Sequence, residues 1–187
     1  MSVLRHGFLL LLLAGVGCAH VSVPADRECE RLHARLAYCL LDPSQLAETP
    51  ERLDRVTVES PDGRHDFIGQ VGFGVERMTL VGQTASGMGL FRIDWDGEHL
   101  QQQFRSDEMA LDGRRLLALI QLVFAPAESL GSAVIGGRVR DHAGEAGCER
   151  ELLLDNGREV ARVRYGQAGD DIHIILGDAV RIRLRPL

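Results

Sequence analysis

The stretch from Arg55 to Phe104 constrains the fold of this chain most. Its apolar residues recur at period two with glycine or polar residues between them, at Phe67, Val71, Phe73 and Val75. This alternation is typical of antiparallel strands with one buried face. The predicted strands are Arg55–Ser60, His65–Phe73, Val75–Thr84, Met88–Trp95 and Glu98–Phe104. Asp62-Gly63 and Asp96-Gly97 suit hairpin turns, because glycine accepts positive φ angles.

Further strands are predicted in the last third of the chain, at Gly137–Asp141, Cys148–Leu154, Glu159–Tyr165, Asp171–Leu176 and Ala179–Arg185. Asn156-Gly157 and Gly177-Asp178 predict hairpin turns between the last four of them. Two helices are predicted to cover the sheet. The apolar residues of Arg27–Leu41 recur at helical spacing and indicate an amphipathic helix, whereas Arg114–Phe124 is apolar almost all round. The predicted fold class is therefore mainly β (α+β), a curved antiparallel half-barrel of about nine to eleven strands.

The N-terminus has the features of an export signal. Residues 1–17 contain one basic residue, Arg5, and a short apolar run, and small residues precede Cys18. This pattern resembles the bacterial lipobox, which implies lipidation of Cys18, a membrane anchor and a location on the periplasmic face of the outer membrane. Residues 18–26 would form the lipidated tether, and residues 27–187 a single domain.

Charge and cysteine content limit the partners and the compartment. The chain has no lysine, and removal of Arg5 leaves 20 arginines against 27 acidic residues, a net charge of −7. Such an acidic chain argues against nucleic-acid binding. Cys29, Cys39 and Cys148 are an odd number of thiols for an oxidising compartment. Two alternatives remain open. Either Cys148 forms a disulfide with one of the two earlier cysteines, or all three are buried thiols.

The order of these elements resembles the LolA/LolB fold, in which helices close an apolar half-barrel that holds acyl chains. Segments such as Phe67–Gln70, Leu80–Gly82, Gly89–Gly97 and Asp155–Val160 are also similar to an uncharacterised family of bacterial lipoproteins. Members of that family are found beside aryl polyene lipid export genes. The resemblance implies a role in envelope lipid trafficking.

From this resemblance and the strand pattern we expect a carrier of acyl chains or other elongated apolar molecules. The predicted cavity lining is Phe67, Val71, Phe73, Leu80, Phe91, Ile93, Trp95, Leu116, Ile120 and Phe124. The resemblance implies a membrane-insertion loop at Met88 and Leu90. The alternative is an accessory lipoprotein with a filled core that docks onto an envelope export complex. Because strand faces alternate, a register error of one residue would invert the lining.

We expect no enzymatic activity, no cofactor, no metal site and a monomer. Asp94 and Asp96 flank Trp95 and form an acidic pair, but they adjoin an exposed turn. Asp171 and His173 share a strand face, but a third metal ligand is missing. Neither pair has the surroundings that catalysis or metal binding requires.

Overall fold

The computed structural model describes residues 21–105, 112–144, 147–167 and 170–187. The predicted signal peptide and Cys18 lie outside the described residues, as do residues 106–111.

A ten-stranded antiparallel sheet dominates the structure. Its strands are β3 (Arg52–Ser60), β4 (Gly63–Phe73), β5 (Met78–Gln83), β6 (Gly89–Trp95), β7 (Leu100–Phe104), β9 (Gly137–Gly144), β10 (Gly147–Leu154), β11 (Glu159–Tyr165), β12 (Ile172–Leu176) and β13 (Val180–Pro186). Their spatial order is β7-β6-β5-β4-β3-β13-β12-β11-β10-β9. Among the residues described, the sheet is therefore open, with β7 and β9 as its edge strands. The predicted mainly-β class is confirmed, and the last strand joins the two halves because β13 pairs with β3.

The predicted hairpin turns are confirmed. Gly63, Gly97, Gly157 and Gly177 have φ angles of +135°, +98°, +83° and +53°. Residues with a Cβ rarely adopt these angles, so glycine sets the ends of the hairpins. The predicted strand beginning at Val75 is too long, because β4 ends at Phe73 and β5 starts at Met78. Val75 lies in the turn between them and is 67% exposed.

The predicted N-terminal helix is wrong. Residues 27–41 form a hairpin of β1 (Cys29–His33) and β2 (Leu36–Cys39), which joins the two-residue strand β8 (Val134–Ile135) in a small second sheet. The four residues of β2 are all completely buried. A short apolar run that is buried on both faces does not distinguish strand from helix by its spacing, which explains the error.

The hairpin also corrects the predicted disulfide. Cys29 and Cys39 are opposite each other in the β1–β2 register and form a disulfide. Cys148 is free and exposed on β10. The bond therefore closes a local hairpin instead of connecting the N-terminal segment to a later strand.

Two helices connect β7 to β8. The first, α1 (Gly113–Phe124), confirms the predicted apolar helix, and the second is α2 (Ala127–Ala133). Asp112 caps α1, since its carboxylate accepts a hydrogen bond of 2.9 Å from the backbone N–H of Arg114. Buried residues of α1 belong to one core cluster with the inner face of the large sheet and with β2. The core thus lies between the sheet, α1 and the hairpin.

Candidate functional site

The inner face of the large sheet is the face that the sequence predicts. All seven predicted lining residues on strands are at most 8% exposed: Phe67, Val71, Phe73, Leu80, Phe91, Ile93 and Trp95. The three predicted on α1 are half-buried: Leu116, Ile120 and Phe124. The structure places all ten in or against one apolar cluster.

Aromatic rings form a continuous layer across β4, β6 and β7. The ring centroids of Phe67 and Phe91 are 5.7 Å apart in an edge-to-face arrangement, and those of Phe91 and Phe104 are 5.9 Å apart. A second edge-to-face pair, with ring centroids 5.7 Å apart, joins Phe73 of β4 to Phe124 of α1. Such pairs hold ring positions more specifically than aliphatic contacts do.

The glycine at position 82 makes room for this layer. Gly82 is opposite Phe91 in the β5–β6 register, and a Cβ built on it would lie 2.2 Å from the Phe91 ring. At Gly69 a built Cβ would come within 2.9 Å of Val56. The volume beside these two glycines is therefore occupied by neighbouring side chains.

Buried polar side chains that sequence reasoning missed hold the C-terminal half of α1. Arg150 of β10, 7% exposed, donates hydrogen bonds to the carbonyl oxygens of Leu122, Val123 and Ala125 at 2.8, 3.3 and 2.8 Å. It also forms an ion pair of 2.8 Å with Asp141. The guanidinium suits this position, because its five donors reach several acceptors and its charge favours a helix C-terminus.

Gln121 connects the other side of α1 to the chain after β2. Its amide accepts a 2.8 Å hydrogen bond from the backbone N–H of Leu41 and donates a 3.1 Å bond to the carbonyl of the same residue. Trp95 donates its indole N–H to that carbonyl at 2.8 Å. The signal in the sequence that could have indicated this contact is the presence of a polar residue, Gln121, within an otherwise apolar helix.

The two tyrosines of the chain lie near Arg150, with Tyr38 completely buried and Tyr165 half-buried. Tyr165 donates a 2.6 Å hydrogen bond to the carbonyl of Val123, and burial raises its pKa to about 12. Burial also raises the pKa of Tyr38 well above its usual range. The Tyr38 hydroxyl has no hydrogen-bond partner among the described residues. The neutral phenol is favoured at both positions.

Five apolar residues on β6, β7 and α1 pack against the core but are only half-buried: Leu90, Phe104, Leu116, Ile120 and Phe124. The three helix members recur every four residues and so share one face of α1. A Cβ built on Gly113 would lie 2.4 Å from Gln102 of β7 and 3.2 Å from Ile93 of β6. The start of α1 therefore packs against β6 and β7. We call the five half-buried residues Leu90, Phe104, Leu116, Ile120 and Phe124 the seam.

The predicted insertion loop is the β5–β6 turn. Met88 is 48% exposed there, whereas Leu90 is half-buried in the seam. The turn is closed by a 2.9 Å hydrogen bond from the backbone N–H of Thr84 to the carbonyl of Met88. The loop thus presents one large apolar side chain beside the seam.

The acidic pairs singled out in the sequence are engaged by neighbouring groups. Arg92 donates to Asp94 at 2.7 Å, and this bond lowers the pKa of that carboxyl. Backbone N–H groups of His99 and Glu98 lower the pKa of Asp96. Arg183 binds Asp171 and lowers its pKa. No group of three or more potential metal ligands occurs among the described residues.

Comparison with known families places the chain in one group. A family model described as "Protein of unknown function (DUF3261)" matches residues 51–182. The chain belongs to this family. The match runs from the start of β3 into β13 and leaves the β1–β2 hairpin outside it. None of the curated proteins matches the chain. Within the residues described, no helix has the length and apolar character needed to span a membrane.

Proposed function

We propose that this member of the family is an outer-membrane lipoprotein, anchored through lipidated Cys18 on the periplasmic face. It has a LolA/LolB-like half-barrel that binds an acyl chain or another elongated apolar molecule and passes it on in envelope lipid trafficking. The seam is the observation that carries the proposal. Its five apolar residues are only half-buried although they adjoin the core, and they mark where an apolar chain enters between α1 and the sheet.

The anchoring of α1 supports this entry route. Arg150 and Tyr165 bind its C-terminal half, and Gln121 of that half binds the backbone of Leu41. Its N-terminal half has Asp112 as a cap and an ion pair of 2.7 Å between Arg114 and Glu28, both more than a third exposed. Exposed ion pairs contribute little stability. The N-terminal half is therefore the part of α1 that moves away from β6 and β7 to admit a chain.

The energetics of acyl binding are sufficient. Burial contributes about 0.8 kcal/mol per methylene, so a chain of about 14–16 methylenes gains roughly 11–13 kcal/mol before ordering costs. Displacement of α1 from the strands would expose apolar surface and reduce this gain. Met88, exposed in the adjoining loop, contacts the membrane during delivery, since an unbranched apolar side chain enters lipid readily.

Bound lipid provides the test. Residues 19–187, without the acylated cysteine, are purified and studied by native mass spectrometry and organic extraction, followed by titration with a fluorescent fatty acid. We expect one apolar passenger per chain, and we expect Ile120→Glu to abolish its binding. Val75→Glu is the matched control, because Val75 is exposed in a turn outside the core. A chain that is empty and takes up no fatty acid contradicts the proposal.

A second candidate is an accessory lipoprotein with a filled core that docks onto an envelope export complex. The packing of Phe91 over Gly82 favours it, because the space next to a strand glycine is occupied there by a ring. This candidate predicts no passenger lipid in either the native chain or Ile120→Glu. Cross-linking in membranes would then recover a protein partner, and recovery of none would refute it.

A further inference from the structure

Arginines are concentrated on the outer face of the large sheet, opposite α1. Along β13 the inward residues Ile182 and Leu184 are buried, and the outward residues are Arg181, Arg183 and Arg185. On the neighbouring strand β3, the residues directly opposite these three arginines are, in the same order, Glu59, Thr57 and Arg55. We call each set of residues opposite one another across the strands a row. The row that contains Arg55 and Arg185 therefore places two like charges directly opposite each other.

Such a pair is unfavourable by itself. Directly opposite residues in an antiparallel pair have Cβ atoms about 4.5–5.5 Å apart, and like charges there destabilise the sheet. The β4 residue opposite Arg55 is the uncharged Ile68, and Asp66 of β4, whose charge also acts on Arg55, makes its hydrogen bonds to Arg64 and Thr57. An anion between the two guanidinium groups would reverse the sign of the interaction.

The carboxylates close to this row are committed to other arginines. Asp171 accepts from Arg183 at 2.9 Å, and Asp66 accepts from Arg64 at 3.0 Å. In the described parts of the chain, Arg55, Arg181 and Arg185 have no carboxylate within 4.0 Å. Three guanidinium groups on one face are thus available to a ligand.

Two neighbouring clefts of about 550 and 490 Å³ lie on this face and share Thr57, Arg64, Arg183 and Arg185. Together they are lined by six arginines and three carboxylates, a net charge of +3 with His173 neutral. The whole chain has a formal charge of −6. A positive cleft on an acidic protein attracts anions selectively to that position.

We propose that the cleft at Arg55 and Arg185 is a binding site for a phosphate group, carried by a lipid headgroup or by a small soluble anion. Guanidinium groups bind phosphate oxygens through paired N–H donors, and the pairing of β3 with β13 places Arg55 and Arg185 directly opposite each other. The site lies on the face opposite the proposed acyl site and does not depend on it.

The test uses the protein purified from membranes in a non-ionic detergent at about 0.15 M NaCl, which screens weak contacts between exposed charges. Calorimetric titration with inorganic phosphate, dihexanoyl phosphatidic acid and dihexanoyl phosphatidylcholine separates the two sources of the phosphate group. Binding of phosphatidic acid alone identifies a lipid headgroup. Binding of inorganic phosphate as well identifies the phosphate group itself, and binding of inorganic phosphate alone identifies a soluble anion.

Amino-acid substitutions test whether the anion binds at this cleft. Arg55→Gln and Arg185→Gln should each weaken binding at least tenfold and, without ligand, raise the melting temperature by up to about 3 °C through relief of the like-charge pair. Arg138→Gln, on the exposed face of β9, is the control and should change neither quantity. Failure of the wild type to bind either anion, or binding by Arg55→Gln and Arg185→Gln that is as tight as that of the wild type, overturns the proposal.

Discussion

Replacement of Arg150 by methionine is the most informative single change for the fold. Arg150 supplies donors to three carbonyls at the end of α1. The Leu122 carbonyl has no alternative within the helix, because the residue four positions later is Pro126, which lacks an N–H. The Val123 carbonyl keeps its bond from Tyr165. Arg150→Met therefore leaves the carbonyls of Leu122 and Ala125 without their donor.

The magnitude follows from these two groups. A buried polar group without a partner costs about 1–3 kcal/mol, so two cost roughly 2–6 kcal/mol. Methionine fills much of the same volume, so the cavity contribution is small. We expect the free energy of unfolding to fall by about 3–5 kcal/mol, a large part of the roughly 5–15 kcal/mol typical of a domain. Urea unfolding followed by circular dichroism measures the loss.

Two controls separate the carbonyl contacts from charge. Asp141→Asn removes the ion pair of Arg150, and because Asp141 is 36% exposed we expect a loss of about 0–1 kcal/mol. Arg138→Met, on the exposed face of β9, should change stability by about 0.5 kcal/mol or less. A loss below about 1 kcal/mol for Arg150→Met, or an equal loss for Asp141→Asn, would refute the assigned role.

Three further predictions concern the hairpin, the buried phenols and the aromatic layer. Reduction of the disulfide between Cys29 and Cys39, ten positions apart, should lower unfolding stability by about 2–3 kcal/mol, and an unchanged urea midpoint would contradict a stabilising role. Absorbance at 295 nm should show both tyrosines of the native chain un-ionised through pH 10. Because folding raises the pKa of Tyr165 to about 12, its contribution to stability is complete below about pH 10 and is lost as the pH rises towards 12; a native titration midpoint near 10 would refute this. Gly82→Ala should cost about 1–3 kcal/mol through overpacking against the phenyl ring above it, whereas Gly89→Ala, with open space at its Cβ, should cost less; equal melting temperatures for the two variants would show that the ring moves aside freely.

Local pattern accounts for most of the large sheet. Period-two alternation and glycine turns predicted the strands to within a few residues, because each hairpin is formed by neighbouring segments. The seven strand residues predicted to face inward are buried, so the register was also predictable from the pattern. The helix from Gly113 to Phe124 was predictable because its apolar run ends at a proline.

Packing between distant segments decided the rest. Residues 27–41 have helical spacing, yet they form a hairpin, since β2 is buried between β1 and β8 and the disulfide joins opposite positions. Arg150 lies in β10, whose sequence is partly polar, so the sequence did not indicate that this side chain is buried. Its burial depends on the position of the C-terminal end of α1.

By itself, the sequence determined the strands, the turns and the inward face, because these depend on residues close together in the chain. Only the tertiary structure decided which strands became neighbours. The opposition of Arg55 and Arg185 follows from the pairing of β3 with β13, which are the first and last strands of the large sheet along the chain, and no local pattern contains that information. Charges that are harmless in isolated segments become a candidate binding site when the sheet brings those strands together.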